Sequence, residues 1–160
     1  MQVAIGCDHA GLELKQEISR QLEKEGYTVF DCGSFNEKSV DYPDIAEEVA
    51  AVVLEKELNG IIICGTGIGI SIAANKVPGI RAALCNDIYS ARLARKHNDA
   101  NIVAVGARVT GEGLAIEIVN SFLSTEFEGG RHQCRIDKIT AIENKWRTGT
   151  ADKNGNTCNN

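Results

Sequence analysis

An apolar run, Ile61-Ile62-Ile63-Cys64, leads directly into Gly65-Thr66-Gly67-Ile68-Gly69-Ile70-Ser71. Glycines at alternate positions let the backbone turn tightly and aim successive N–H groups at one point, forming an anion nest at a helix start. A thiol facing such a nest stands in a field that favours the thiolate, a species able to act as base or nucleophile. Taken singly, the cysteine reads equally well as a small core residue and the glycines as a packed strand-to-helix turn. The spacing is not a dinucleotide fingerprint. G-x-G-x-x-G would need glycine at Ile70 counted from Gly65, or at Ile72 counted from Gly67, and the GK[ST] of a P-loop is absent.

Three further groupings carry chemistry. In Gly6-Cys7-Asp8-His9-Ala10-Gly11 a carboxylate stands beside an imidazole, suited to proton transfer or to sugar hydroxyls, while Asp8 alone also reads as a helix N-cap. In His97-Asn98-Asp99 the imidazole either serves a substrate or complements a helix C-terminus. Arg131 and Arg135 stand at i and i+4 near the start of a last helix. That spacing suits a phosphate dianion, or equally a pair of solvated surface charges.

Five short apolar runs must position these groups: Gln2–Gly6, Thr28–Asp31, Gly60–Cys64, Arg81–Leu84 and Ile102–Val105 read as strands covered on both faces. Between them lie helical patterns: Leu14, Ile18 and Leu22; Ala46, Val49, Ala50 and Val53 after Asp-Tyr-Pro; Ala73 onward; Asp87–His97; and Leu114, Ile118, Val119 and Phe122. The alternation predicts an α/β fold, a Rossmann-like three-layer αβα sandwich on a five-stranded parallel sheet. With a 2-1-3 strand order, the loops after the first and third strands flank the switch point, where ligands bind. After Gly129-Gly130, residues Ile136, Ile139, Ile142 and Trp146 mark an extra C-terminal helix, to be packed on its own sheet or on a second subunit. Residues 1–146 read as one domain and 147–160 as a frayed polar tail.

The 160 residues suit a single core, and with 43% hydrophobic and 24% charged residues the composition is that of a globular chain. A net charge of −5 argues against a nucleic-acid surface. No apolar run approaches the ~20 residues of a membrane span, and the N-terminus lacks a signal-peptide pattern. Six cysteines without a CxxC pair are expected to be reduced thiols, as in the cytoplasm.

From Val3 to Trp146 the chain resembles the ribose-5-phosphate isomerase B family, which also contains allose-6-phosphate isomerase and the galactose-6-phosphate isomerase subunits. The resemblance rests on GCDHAG, VDYPDIA, ICGTGIGISIAANKVPGIRAA, HNDANI and GGRHQCR in that order. It implies an aldose–ketose isomerase with a nucleotide-free Rossmann-like fold and neither metal nor organic cofactor. It also implies a homodimer or dimer of dimers with active sites at the subunit boundary.

Carried onto this sequence, the resemblance makes Cys64 the base that moves a proton between C1 and C2. Thr66 and the amides of Gly65, Gly67, Ile68, Gly69 and Ser71 stabilise the enediolate. His97 opens the furanose ring and Asp8 contacts the sugar oxygens. His9, Arg131 and Arg135 hold the phosphate, and Asn98 meets a hydroxyl or the enediolate. His97, Asn98 and Arg108 are implied to reach in from the neighbouring subunit. One branch of the family carries a glutamate base at the position of Ile70 and glycine in place of the cysteine; this chain falls in the cysteine branch. A hexose-phosphate substrate and a sugar-phosphate binder without turnover are the alternatives, although a binder has no use for Cys64.

Overall fold

The computed structural model describes residues 1–148. Five strands, β1 (Gln2–Cys7), β2 (Thr28–Asp31), β3 (Asn59–Cys64), β4 (Ala82–Leu84) and β5 (Ile102–Gly106), form one parallel sheet in the order β2-β1-β3-β5-β4. The first and third strands are adjacent, as the switch-point reading requires, while the fourth strand lies outside the fifth. Among the described residues six α-helices accompany them: α1 (Leu12–Lys24), α2 (Tyr42–Lys56), α3 (Ile68–Ala74), α4 (Ile88–Asn98), α5 (Glu112–Leu123) and α6 (Arg131–Thr148).

Strand side chains alternate between two apolar layers. Val3, Ile5, Ile61, Ile63, Val103 and Val105 face α1, α4 and α5 through Leu14, Ile18, Leu22, Ala91, Ala94, Ile118 and Phe122. Ala4, Ile62, Cys64, Ile102 and Ala104 face α2 and α3 through Ile45, Val49, Val53 and Ile70. Burial on both sides explains why the strands read as unbroken apolar runs.

Caps set the helix limits. Asp87 accepts from Ser90 N at 2.8 Å to start α4, and Asp99, in the left-handed region at φ 43°, ends it. Pro43 in the first turn of α2 removes an N–H that would have no partner there. The last helix packs on α4, and Glu143 accepts from Gly79 N at 3.1 Å. It continues through Arg147 and Thr148 into the stretch read as tail; the remainder of that stretch lies outside the described residues. Cys7, Cys32, Cys64, Cys85 and Cys134 are free thiols. Among the described residues no helix is long and apolar enough to cross a membrane.

Candidate active site

Two loops meet at the C-terminal end of the central strands. Asp8 follows β1, donates its N–H to Ile63 O at 3.0 Å and accepts from Ala10 N at 2.9 Å through Oδ1. It is thus a true cap of the short 3-10 turn His9–Gly11, yet Oδ2 makes no hydrogen bond among the described residues and stays available to a ligand. The neighbouring His9 has its Nδ1 buried without a partner, as expected of a ring that waits for one. Lys15, 2% exposed, bonds both Asp31 oxygens and Ser34 O at 2.6 to 2.8 Å. This holds the 31–34 segment against Cys7, immediately before Asp8.

At the end of β3, Cys64 Sγ accepts from Gly67 N at 3.1 Å, and Thr66 Oγ1 accepts from Ile68 N at 3.3 Å. Gly67 has φ 77°, and a Cβ there would lie 2.5 Å from Leu84 Cδ1 and 3.0 Å from the Val105 carbonyl carbon. Only glycine makes this turn. Helix α3 begins at Ile68, earlier than the Ala73 expected from sequence, and the glycine pattern concealed it. Gly69 lies inside the helix because the Tyr42 ring occupies the place of its side chain, 2.8 Å from where a Cβ would sit. Gly67, Ile68, Gly69 and Ile70 therefore carry the amides that an α-helix start leaves unbonded. Two of these point at Cys64 and Thr66. Ser71 is used internally: its amide donates to Gly67 O at 3.2 Å and its hydroxyl to Ile68 O at 2.8 Å. Arg108 lies beside Gly65, its guanidinium 3.6 Å from a Cβ built there and its N–H donating to Gly65 O at 2.9 Å.

Burial pushes the thiols of Cys7, Cys32 and Cys85 up to about 11.

The rest of the expected set lies at the opposite end of the sheet. Helix α4 descends from the C-terminal edge, so His97 and Asn98 close it beside the first residues of β3, β4 and β5. Asn98 O and Asp99 O accept from Arg81 Nε at 3.1 and 2.9 Å, and Gly60 N donates to Asn101 O at 2.8 Å. Six strand residues at about 3.3 Å each put this edge roughly 17 Å from Cys64. Arg131 and Arg135, both exposed at the start of α6, lie with His97, because Glu128 N donates to Lys96 O at 3.0 Å and fixes that start on the end of α4. One chain thus carries two separate groups: Asp8, His9, Cys64, the glycine turn and Arg108 at one end, and His97, Asn98, Arg131 and Arg135 at the other. The neighbour-derived set implied by the resemblance placed Arg108 with His97; within the chain it sits with the glycine turn.

Around His97 are two residues that sequence reading passed over. The rings of His97 and His132 stack with centroids 4.2 Å apart and planes 5° from parallel, and Glu128 Oε2 lies 3.8 Å from His97 Nε2 and 3.4 Å from Lys96 Nζ. Lys96 holds the Glu128 carboxyl below the usual range, while burial holds His132 below that of a free imidazole, with His97 and Arg131 adding to the effect. Their donor atoms fall within 4.8 Å of one another, a set of metal-ligating type. A metal lies in the plane of each imidazole it binds, and two stacked parallel rings have no common plane to offer. The one signal in the sequence is that His132 and Ile136 form the buried stripe of the helix on which Arg131 and Arg135 form the exposed one.

A thiol at the C-terminal edge of a parallel sheet that receives a helix-start amide, with an Asp–His pair on the adjacent strand end, defines a small α/β enzyme with its site at the switch point. The model of the ribose/galactose isomerase family matches residues 3–139, and the chain belongs to that family. It is 51% identical over 145 residues to ribose-5-phosphate isomerase B of Escherichia coli, covering 90% of this chain and 97% of that one. The solved ribose-5-phosphate isomerase B of Clostridium thermocellum superposes with TM-score 0.89 at 56% identity, over 91% and 99% of the two chains. That of Mycoplasma genitalium, solved with bound ribulose-5-phosphate, gives TM-score 0.86 at 44% identity, over 90% and 97%.

Proposed function

We propose that the protein interconverts ribose 5-phosphate and ribulose 5-phosphate, with Cys64 as the base. The observation that carries this reading is the Gly67 N–H donated to Cys64 Sγ beside Asp8 and His9, in a chain about half identical to isomerases named for that substrate.

The chemistry follows from the groups present. His97 protonates the ring oxygen as the C1 hydroxyl gives its proton to water, the C1–O ring bond breaks and the aldehyde forms. The Cys64 thiolate removes the proton from C2, and the electron pair moves through the new C1–C2 double bond onto O1. The Gly69 and Ile70 amides and the Thr66 hydroxyl meet that oxygen, where each such donor is worth ~2.7–4 kcal/mol of barrier. Once a proton has passed from the O2 hydroxyl to O1, the Cys64 thiol returns its own to C1 and the ketone stands at C2. Arg131, Arg135 and His9 hold the phosphate, and Asn98 holds a hydroxyl.

His97 and Cys64 of one chain stand roughly 17 Å apart, by the rise of about 3.3 Å per strand residue, so one subunit does not complete this site. A homodimer, alone or paired into a dimer of dimers, that brings the α4–α6 end of one copy over the glycine turn of the other makes two complete sites. The five described cysteines are all free, which supports a reducing cytoplasm.

The test has two arms. Turnover is measured with ribose 5-phosphate and with allose 6-phosphate, and a preference for the hexose would reassign the substrate. Cys64→Ala and His97→Ala proteins, both deficient in turnover from ribose 5-phosphate, are then unfolded together, refolded and assayed with that substrate. Mixed dimers with shared sites contain one intact site each and return about a quarter of the parental activity. No recovery means that each subunit works alone.

A further inference from the structure

His132 belongs to none of the steps above, yet it is 3% exposed and its ring lies flat on that of His97. Arg131 Nε donates to His132 Nε2 at 3.4 Å. A guanidinium cannot accept, so Nε2 must hold the lone pair, and the ring is the neutral Nδ1–H tautomer. The charged groups around it agree. Among the described residues, Arg131 and Arg135 on α6 are the cations that act on it, Glu128 before α6, paired with Lys96 of α4, is the one carboxylate, and His97 is the stacked partner. A second positive charge would be repelled there. The stack leaves the Nε2 edge of His97 turned toward Glu128, 3.8 Å from its Oε2.

We propose that His132 is a positioning residue for ring opening: its stacked ring fixes the plane of His97, and its bond to Arg131 ties that plane to the phosphate grip. This rests on the assignment of His97 to ring opening made above. The physical need is plain, because His97 closes α4 half-exposed, and a misplacement of about 1 Å in a proton donor can cost ~10²-fold in rate. A stacked ring leaves the imidazole one orientation.

The assay compares turnover at saturation from the two substrates, since only ribose 5-phosphate has a furanose ring to open. In His132→Ala, kcat from ribose 5-phosphate should fall at least ~10-fold, while kcat from ribulose 5-phosphate changes less than ~2-fold. His132→Phe, which restores a flat ring without its nitrogens, should recover most of the loss. Equal losses from both substrates, no loss from either, or a Phe variant as poor as the Ala variant would overturn the proposal. His97→Ala, run alongside, separates the two readings. If it shows no asymmetry between substrates, the ring-opening assignment fails; if it does and His132→Ala does not, the positioning role alone fails. Should His132→Ala not fold, nitrogen NMR of the parent's imidazoles decides instead. His132 is expected as the neutral Nδ1–H form between about pH 7 and 8, and a protonated ring or the Nε2–H form there sinks the proposal.

Discussion

Replacing Gly67 by alanine tests the glycine turn directly. Gly67 sits at φ 77°, where an L-residue costs roughly 1–2 kcal/mol. The new methyl would also meet Leu84 Cδ1 at 2.5 Å, the Val105 carbonyl carbon at 3.0 Å and Gly106 N at 3.2 Å. Leu84 can turn away, but the β5 backbone cannot, and overpacking of this kind costs about 1–3 kcal/mol. Together these destabilise by roughly 2–5 kcal/mol, within the reach of a fold worth ~5–15 kcal/mol, so the variant folds with Tm lowered by roughly 4–20 °C. Relief of the clash moves the start of α3, shifting the amide that meets Cys64 Sγ together with the Gly69 and Ile70 amides behind it, and loss of one oxyanion donor should lower kcat by ~10²–10³. Gly113→Ala is the control: it lies within α5 with nothing near its Cβ position, and it should gain ~0.5–1 kcal/mol at unchanged kcat. The assay pairs thermal unfolding with steady-state turnover of ribose 5-phosphate. A Gly67→Ala protein that loses the expected stability but keeps kcat within about 3-fold of the parent would refute the amide's part in the chemistry.

Three other outcomes are expected. Cys64→Ala should lose at least ~10²–10⁴ in kcat yet bind ribose 5-phosphate by calorimetry nearly as the parent does, because the thiol acts on carbon and the phosphate is held elsewhere. Arg131→Ala or Arg135→Ala should each raise KM by about 10–100-fold, the value of a charge-assisted hydrogen bond, and weaken competitive inhibition by inorganic phosphate; parental values for both would make them surface charges. The thiols of Cys7, Cys32 and Cys85, raised from 9.0 to about 11, keep protons in the native state that the unfolded chain releases. Stability is therefore full below pH 9 and should fall as pH rises from 9 toward 11, as followed by denaturant midpoints, and Cys85→Ala should flatten the slope.

The strands were legible because each is buried on both faces and reads as an apolar run, and their ends were placed within a residue at Gln2, Thr28 and Ile102. Cys64, Thr66, Asp8 and His9 were legible as a group for a similar local reason. In a parallel sheet, the residue after each strand must emerge at the same edge, so strand ends in the sequence become neighbours in space. The onset of α3 was not legible, since glycine at Gly69 speaks against a helix until the Tyr42 ring from α2 is seen to fill its side-chain space.

The distances between motifs lay wholly outside the sequence. HNDANI comes one strand and one helix after the glycine turn and its helix, and α4 carries it down the full depth of the sheet. Its Asp99 and Asn101 serve there as clamps on Arg81 and on the Arg81 and Gly79 backbone. The sequence by itself determined which residues have the chemistry, through residue type and strand-end position. Only the tertiary structure decided that they form two groups at opposite edges and that His132 lies on His97, because helix direction and the docking of α6 on α4 depend on packing between segments far apart in the chain.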